Sequence, residues 1–390
     1  MNPLYETMTT SVFERVSLAA AARGAVNLGQ GFPDFGWPPE LLDAAATALR
    51  EGSNQYAPSR GLPQLRDAIA GHYERHFGEA LTAENVCVTS GATEALAAGL
   101  LAAISPGDEA IVFTPAYDAY APLIRRAGGV VREIALQPPE WRITRDAIER
   151  AIGPKARLLI LNNPHNPTGR LFDRSELDVV VDAARDHDLL VVSDEVWEHV
   201  LLDGQRFTPI ATLPGMAERT LKCGSGGKIF SLTGWKIGWL VAAPPLATLV
   251  ARAHQFLTFA SAPNLQAALA FGLSEGDAWL EPMRERFARA RDRMRVGLED
   301  AGYVVLPSAA TYFQCVDLAA SGITLDDEAF AALAVEQAGV AIIPLSPFAE
   351  TDPPRHLVRL CFAKRDETID AGIAALSRAR ALARSSSRPV

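Results

Sequence analysis

Cysteine is scarce in this chain of 390 residues: Cys87, Cys223, Cys315 and Cys361 are all there are, widely spaced and without a C-x-x-C pair. That pattern offers neither a disulfide framework nor a zinc ribbon, and a reducing, cytoplasmic setting is expected. Long apolar runs are missing as well. No stretch reaches the ~18 unbroken apolar residues of a membrane span, and the opening MNPLYETMTT lacks the basic region and apolar core of a signal peptide; no membrane partner is expected. Positive charge is in deficit, with 37 Lys and Arg against 46 Asp and Glu and a net charge of −9. A binder of the phosphate backbone needs a basic surface to displace counterions, so nucleic acid is not an expected partner. Metal-ligand spacing is also lacking: His72 and His76 stand four apart, but the run HYERH does not have the H-E-x-x-H order and no third ligand can be read near it. No metal is expected.

What is present is ordinary globular composition, 48% hydrophobic and 21% charged, with 29 Gly and 26 Pro for many tight connections. The length exceeds the ~100–200 residues of one typical domain, and two units are expected. Short apolar runs, Val86–Val88, Ala110–Phe113, Leu158–Leu161 and Leu189–Val192, alternate with amphipathic stretches. This predicts an α/β fold with a mostly parallel sheet covered by helices on both faces. A charged helical stretch from about Gly276 to Leu298 leads into runs at Tyr303–Leu306, Tyr312–Val316, Val340–Ile343 and Val358–Phe362, read as a smaller α+β domain. The tail from Ala381 is expected to fray. No repeat or low-complexity linker separates the halves.

Ligands of an open α/β sheet belong at the carboxyl ends of its strands, and those ends carry the chemistry here: Thr89-Ser90-Gly91, Thr114-Pro115-Ala116-Tyr117, Asn162 to Gly169, and Ser193-Asp194-Glu195. Two familiar nucleotide signatures fail. Around Lys228, a Walker A loop would need Gly where Lys222 stands and Ser or Thr where Ile229 stands. Around Gly29-Gln30-Gly31, Asp34 occupies the last glycine of G-x-G-x-x-G, which disfavours a dinucleotide site. By contrast, Gly91-Ala92-Thr93 opens a helix straight after a strand, where free N–H groups and the positive helix end favour an anion. Arg359 sits within an apolar run, where an unpaired guanidinium is costly and needs an anion.

These segments, in this order, resemble those of fold-type I, pyridoxal 5'-phosphate (PLP) dependent aminotransferases, in the branch with the kynurenine and methionine aminotransferases. Ser225-Gly226-Gly227-Lys228 followed by Thr233-Gly234-Trp235-Lys236-Ile237-Gly238-Trp239 resembles the cofactor-lysine segment. Asn162-Asn163-Pro164-His165-Asn166-Pro167-Thr168-Gly169 resembles the N-P-x-N-P-T-G loop. Ser193-Asp194-Glu195-Val196-Trp197-Glu198-His199 resembles S-D-E-V-Y-E-H, and Asn27 to Phe35 reads N-L-G-Q-G-F-P-D-F. The likeness runs from about Ser11 to Ile373.

The resemblance implies that Lys228 carries the cofactor and acts as catalytic base, and that Asp194 pairs with the pyridine nitrogen. Asn166 would donate to the phenolic oxygen and Tyr117 would stack on the ring. Gly91, Ala92, Thr93, Ser225 and Lys236 would hold the phosphate. Substrate contacts fall to Arg359 and Gly31 at the α-carboxylate, with Asn166 beside them, and to Phe13, Phe32, Tyr120 and Phe348 around the side chain. Tyr56 would reach the phosphate of a partner subunit, implying a homodimer with shared active sites. One departure is plain: Trp197 stands where the family has a tyrosine, so a hydroxyl is lost there.

The implied fold has a large domain (41–284) with a mainly parallel seven-stranded sheet, a small α+β domain (13–40 and 285–390) and an N-terminal arm (1–12). The implied reaction is ping-pong transfer of an amino group from an L-amino acid to a 2-oxo acid, with a broad range of apolar, aromatic or sulfur-containing donors. A cysteine-conjugate β-lyase and a succinyl-diaminopimelate aminotransferase use the same lysine and are the alternatives. The fold also serves as an effector-binding module in transcription regulators, but those carry a DNA-binding region ahead of it, and only about ten residues precede the matched segment here.

Overall fold

The computed structural model of the chain describes residues 1, 3–6, 8–275 and 277–386. Its strands in chain order are β1 (Val26–Asn27), β2 (Val86–Thr89), β3 (Glu109–Thr114), β4 (Val130–Ala135), β5 (Ala156–Asn162), β6 (Leu190–Asp194), β7 (Thr220–Ser225), β8 (Gly238–Val241), β9 (Val304–Val305), β10 (Phe313–Asp317), β11 (Val340–Ala341), β12 (Ile343–Pro344) and β13 (Leu357–Cys361). Seven of them form one sheet in the order β2-β8-β7-β6-β5-β3-β4. All neighbours are parallel except where β8 runs antiparallel between β2 and β7.

The apolar runs that predict strands are buried on both faces, as a sheet between helix layers requires. One face packs on the helices Ala92–Ala103 and Pro244–His254; the other packs on Arg174–Asp186 and on Cys315, Ile343 and Leu357 of β10, β12 and β13. Local signals set the helix ends. Asp173 and Glu176 form a capping box for Arg174–Asp186, and Pro63 opens Pro63–Phe77, which stops at Gly78 in the left-handed conformation. Register then positions the site. Asn162 pairs with Asp194 and Asp194 with Cys223, so the carboxyl ends of β5, β6 and β7 finish side by side.

The small four-stranded sheet runs β12-β13-β10-β9. Arg359 lies mid-strand in β13, facing Cys315 on one side and Ile343 on the other. The helices Asp277–Asp300 and Asp366–Ser386 pack on each other beneath it. The apolar run Val340–Ile343 is not one strand. Val340 and Ala341 pair with β1, while Ile343 pairs with β13, so the chain changes sheets between Ala341 and Ile343. The expected fraying from Ala381 is also corrected: the last helix continues to Ser386 because Ala379 and Ala383 face the core, fully buried. Residues 387–390 of that tail lie outside the described residues. No described helix is long and apolar enough to cross a membrane.

Candidate active site

Between the carboxyl ends of the large sheet and the small sheet lies a cavity of ≈ 340 Å³. Its walls include Gly91, Ala92, Thr93, Tyr117, Asn166, Asp194, Ser225, Lys228, Lys236 and Arg359, together with Phe13, Gly31, Phe32, Val196, Trp197 and Phe313. Nine segments far apart in sequence therefore meet on one space. Its charged walls are Lys228, Lys236 and Arg359 against Asp194, three cations to one anion. None of the four makes an ion pair among the described residues.

Each group is held by its own local structure. The Asn162 side chain ties the site's floor, giving its amide N–H to the Asp194 carbonyl (2.9 Å) and accepting from the Asn166 N–H (2.8 Å). Asp194 ends β6, fully enclosed. Its Oδ2 accepts the Tyr120 hydroxyl at 2.6 Å, and its Oδ1 accepts the Val196 N–H at 3.4 Å. Burial raises its pKa against the pull of those hydrogen bonds and of Lys228, so the carboxylate lacks a cation at full strength. A protonated ring nitrogen is a group of that kind.

Lys228 lies in the short helix Gly226–Ile229 directly after β7. It keeps some surface open to the cavity but has protein on every other side, and burial lowers its pKa to about 8. Its amine sits 4.6 Å over the Trp197 ring and 3.0 Å from the Tyr312 hydroxyl. Such an amine keeps a neutral fraction near neutrality, about a tenth at pH 7, as a base or nucleophile requires.

The opposite end suits a phosphate. The helix Ala92–Ala103 starts at Gly91 (φ 75°) with no side chain capping it, which leaves its first N–H groups to an anion. Lys236 closes over this turn: a methyl group added at Gly91 would lie 3.1 Å from the Lys236 Nζ. At Gly238 a side chain would meet the Ala92 nitrogen at 2.6 Å, so glycine there lets β8 run against the helix start. The residues present thus fit PLP: an uncapped helix end with Lys236 and Ser225 for phosphate, a buried unpaired carboxylate for the ring nitrogen, and a lysine with a lowered pKa between them.

At the small-sheet side, Arg359 is 1% exposed. Its Nη1 donates to Asn166 Oδ1 (2.8 Å) and its Nη2 to the Gly29 carbonyl (3.0 Å), while Nε has no partner. The guanidinium stacks 3.8 Å from the Phe313 ring, and burial lowers its pKa to about 10. A carboxylate is the natural complement of this fork.

Other residues singled out from the sequence are placed differently. Tyr120 does not line the cavity; it lies behind Asp194 and donates to it. Phe348 lines an adjoining cleft of ≈ 890 Å³ and packs 5.5 Å from Phe13, which borders both spaces. Tyr56 is 87% exposed, edge-on to Phe259 and away from this cavity; its expected role concerns a second copy of the chain. His72 meets His199 at 2.8 Å and His76 meets Asp277 at 2.9 Å, so both histidines have partners that helical spacing could not reveal. Sequence reading missed Tyr312, taken only as part of an apolar run. The available signal was a phenol at the head of an apolar run, which needs a partner when buried, and the loss of a hydroxyl at Trp197.

The model of the family "Aminotransferase class I and II" matches residues 23–376. The chain is 42% identical over 380 residues to the probable N-succinyldiaminopimelate aminotransferase DapC of Mycobacterium tuberculosis, covering 94% of this chain and 96% of that one. It is 38% identical over 374 residues to the methionine aminotransferase of Escherichia coli, covering 96% of each. The solved structure of the M. tuberculosis N-succinyldiaminopimelate aminotransferase superposes with a TM-score of 0.93 over 96% of this chain and 99% of that one, at 41% identity.

Proposed function

The chain belongs to the class I and II aminotransferases, a PLP-dependent enzyme of fold type I that carries out transamination, and from that premise we propose a large apolar, aromatic or sulfur-containing L-amino acid as its donor. When bound, PLP supplies the aldehyde that takes up the amino group and the electron-poor ring that accepts charge as the α-proton leaves.

The chain's own residues do the rest. Arg359 grips the α-carboxylate with its guanidinium fork, beside the Gly31 backbone. Asp194 keeps a proton on the ring nitrogen, and its hydrogen bond from Tyr120 fixes which oxygen faces the cavity. Asn166 has its Oδ1 engaged by Arg359, which leaves its amide N–H groups as donors for the phenolic oxygen. Tyr117 flanks the ring, and Ser225, Lys236, Thr93 and the N–H groups of Gly91 and Ala92 take the phosphate. The Lys228 amine, once free, moves the proton from the substrate Cα.

The carrying observation for the donor is charge accounting in the cavity. Its three cations serve the phosphate, the α-carboxylate and catalysis, and the remaining walls around Phe13, Phe32, Val196, Trp197 and Phe313 are apolar. A second reading, an N-succinyl-diaminopimelate donor, has its own support: Arg15 and Arg125 line the adjoining cleft, although Arg125 is held in a double contact by Glu350 at 2.7 and 2.5 Å. The test is the visible absorption of the PLP-loaded protein, mixed with methionine, kynurenine or N-succinyl-diaminopimelate and no keto acid. Methionine or kynurenine should bleach the band, and 2-oxoglutarate should restore it. Bleaching by the succinylated donor alone would establish the second reading. Thiol release from a cysteine conjugate would reveal β-lyase chemistry, and absence of the band in excess PLP would sink the lysine assignment.

The assembly we propose is a homodimer, with Tyr56 of each copy serving the other's phosphate; its exposure beside Phe259 supports this. Sedimentation of the native chain and of Tyr56→Phe, with PLP affinity measured in both, tests it. Four buried free cysteines support a cytoplasmic location.

A further inference from the structure

The Tyr312 hydroxyl, 3.0 Å from Lys228 Nζ, in turn donates to the Gly31 carbonyl oxygen at 2.6 Å. A phenol has one proton to give. Because that proton is committed to Gly31, the Tyr312 oxygen can only accept from the Lys228 amine. The ring cannot swing aside. It is 1% exposed and wedged among Trp197, Phe313 and Phe287, with ring centroids 4.5, 5.1 and 5.8 Å away. Burial holds the phenol well above its ordinary pKa, so the hydroxyl stays protonated at neutral pH.

We propose that Tyr312 positions the catalytic amine: its oxygen takes one N–H of Lys228 and thereby turns the amine's lone pair toward the cavity. Trp197 cannot do this, since it offers the amine a ring face and no acceptor oxygen. The inference rests on the reading of Lys228 as the cofactor-bearing base. Tyr312 is absent from the cavity walls while its neighbour Phe313 is among them, so it acts through Lys228 and not on the substrate. A primary amine turns among three staggered positions about Cε–Nζ, and a fixed acceptor excludes the one that spends the lone pair on Tyr312, leaving those from which it can meet a reacting atom. The other charged or titratable groups facing Lys228 are Cys361, Arg359, Asp194 and Lys236; all four stay in the chain when Tyr312 is changed, and Arg359 and Cys361 are the two that Tyr312 itself faces.

The experiment compares the native protein with Tyr312→Phe, Tyr312→3-fluorotyrosine and Tyr312→Phe combined with Trp197→Tyr. In cofactor-free protein, trace acetic anhydride and mass spectrometry of the Lys228 peptide across pH report the amine's pKa. An ammonium loses a hydrogen-bond acceptor in Tyr312→Phe, so that pKa should fall by roughly one unit. In the PLP-loaded protein, the single-turnover rate with methionine should fall about tenfold with apparent affinity changed less than about twofold. The fluorinated ring keeps its shape and hydroxyl but is a weaker acceptor. It should shift the pKa in the same direction by less, and it decides the matter even if Tyr312→Phe does not fold. Recovery of the pKa and rate in the double variant assigns the effect to a hydroxyl. An unchanged Lys228 pKa and an unchanged rate in both single variants would overturn the proposal. The labelling does not depend on turnover, so failure of the transamination reading itself, seen as a missing visible band in native protein, is a separate result.

Discussion

Replacing Arg359 by methionine should separate activity from stability. In the native protein the guanidinium is a buried cation without an ion pair among the described residues, bonded only to the neutral oxygens of Asn166 and Gly29 and with Nε unpartnered. Removing it relieves a desolvation penalty of several kcal/mol. Against that stand two acceptors left without a donor, about 1–3 kcal/mol each. The two roughly cancel, and methionine fills much of the same length beside Phe313, so Tm should stay level or rise. Substrate binding behaves otherwise. Two charge-assisted hydrogen bonds to a carboxylate are worth about 1.5–3 kcal/mol each, together about 3–6 kcal/mol, or two to four orders of magnitude in kcat/KM at about 1.4 kcal/mol per decade. Single-turnover bleaching of the visible band by methionine, taken over a concentration series alongside thermal unfolding, measures both. A folded, PLP-loaded Arg359→Met protein that loses less than tenfold in kcat/KM would refute the carboxylate assignment. A large drop in Tm would refute the reading of the guanidinium as an unpaired cation.

Three further outcomes follow from the same structure. Burial lowers Lys228 from 10.5 to about 8, so between those pH values the unfolded chain binds more protons and the stability of cofactor-free protein should rise with pH. Lys228→Met should lack that rise, be at most about 3 kcal/mol more stable at pH 7, and lose roughly 10²–10⁴-fold in turnover; chemical denaturation at pH 7, 8, 9 and 10 reads the first two. Gly91→Ala forces a side chain into a left-handed backbone and against Lys236, and PLP should bind at least about tenfold more weakly by fluorescence titration; unchanged affinity would remove the phosphate from that turn. Lys222 is buried against Glu79 and 3.3 Å over the Tyr73 ring, with Glu195, pushed by burial to about 8, close by. Urea unfolding of Lys222→Met should show a loss of about 3–5 kcal/mol from the carboxylates left behind, and a loss under about 1 kcal/mol would mean that water reaches this network.

Much of the molecule was legible in one dimension. Strands buried on both faces must be apolar throughout, and that uniformity separated them from the amphipathic helices around them. The cofactor segments were legible for a related reason: a tight strand-to-helix turn such as Val88 to Thr93 constrains several adjacent residues at once, so its chemistry survives as a contiguous string. Side chains acting across the fold leave no such string. Tyr120 reads as an aromatic near a pocket, and only packing makes it the hydrogen-bond donor to Asp194, seventy-four positions away. Phe348 and Phe13 read as one pocket, whereas Phe348 faces the adjoining cleft. Val340–Ile343 reads as one strand because burial in two different sheets has the same composition as burial in one.

The sequence alone therefore determined the parallel α/β core, the order of the site segments, and the residue types able to hold a phosphate, a ring nitrogen and a carboxylate, because each depends on local backbone geometry or on a net balance of charge and apolarity. Tertiary structure decided which charges stand unpaired in one enclosed space, the lowered pKa of Lys228, and the hydroxyl of Tyr312 set where Trp197 offers none. Those properties are sums over neighbours brought together by register and packing, and no single segment of the chain carries them.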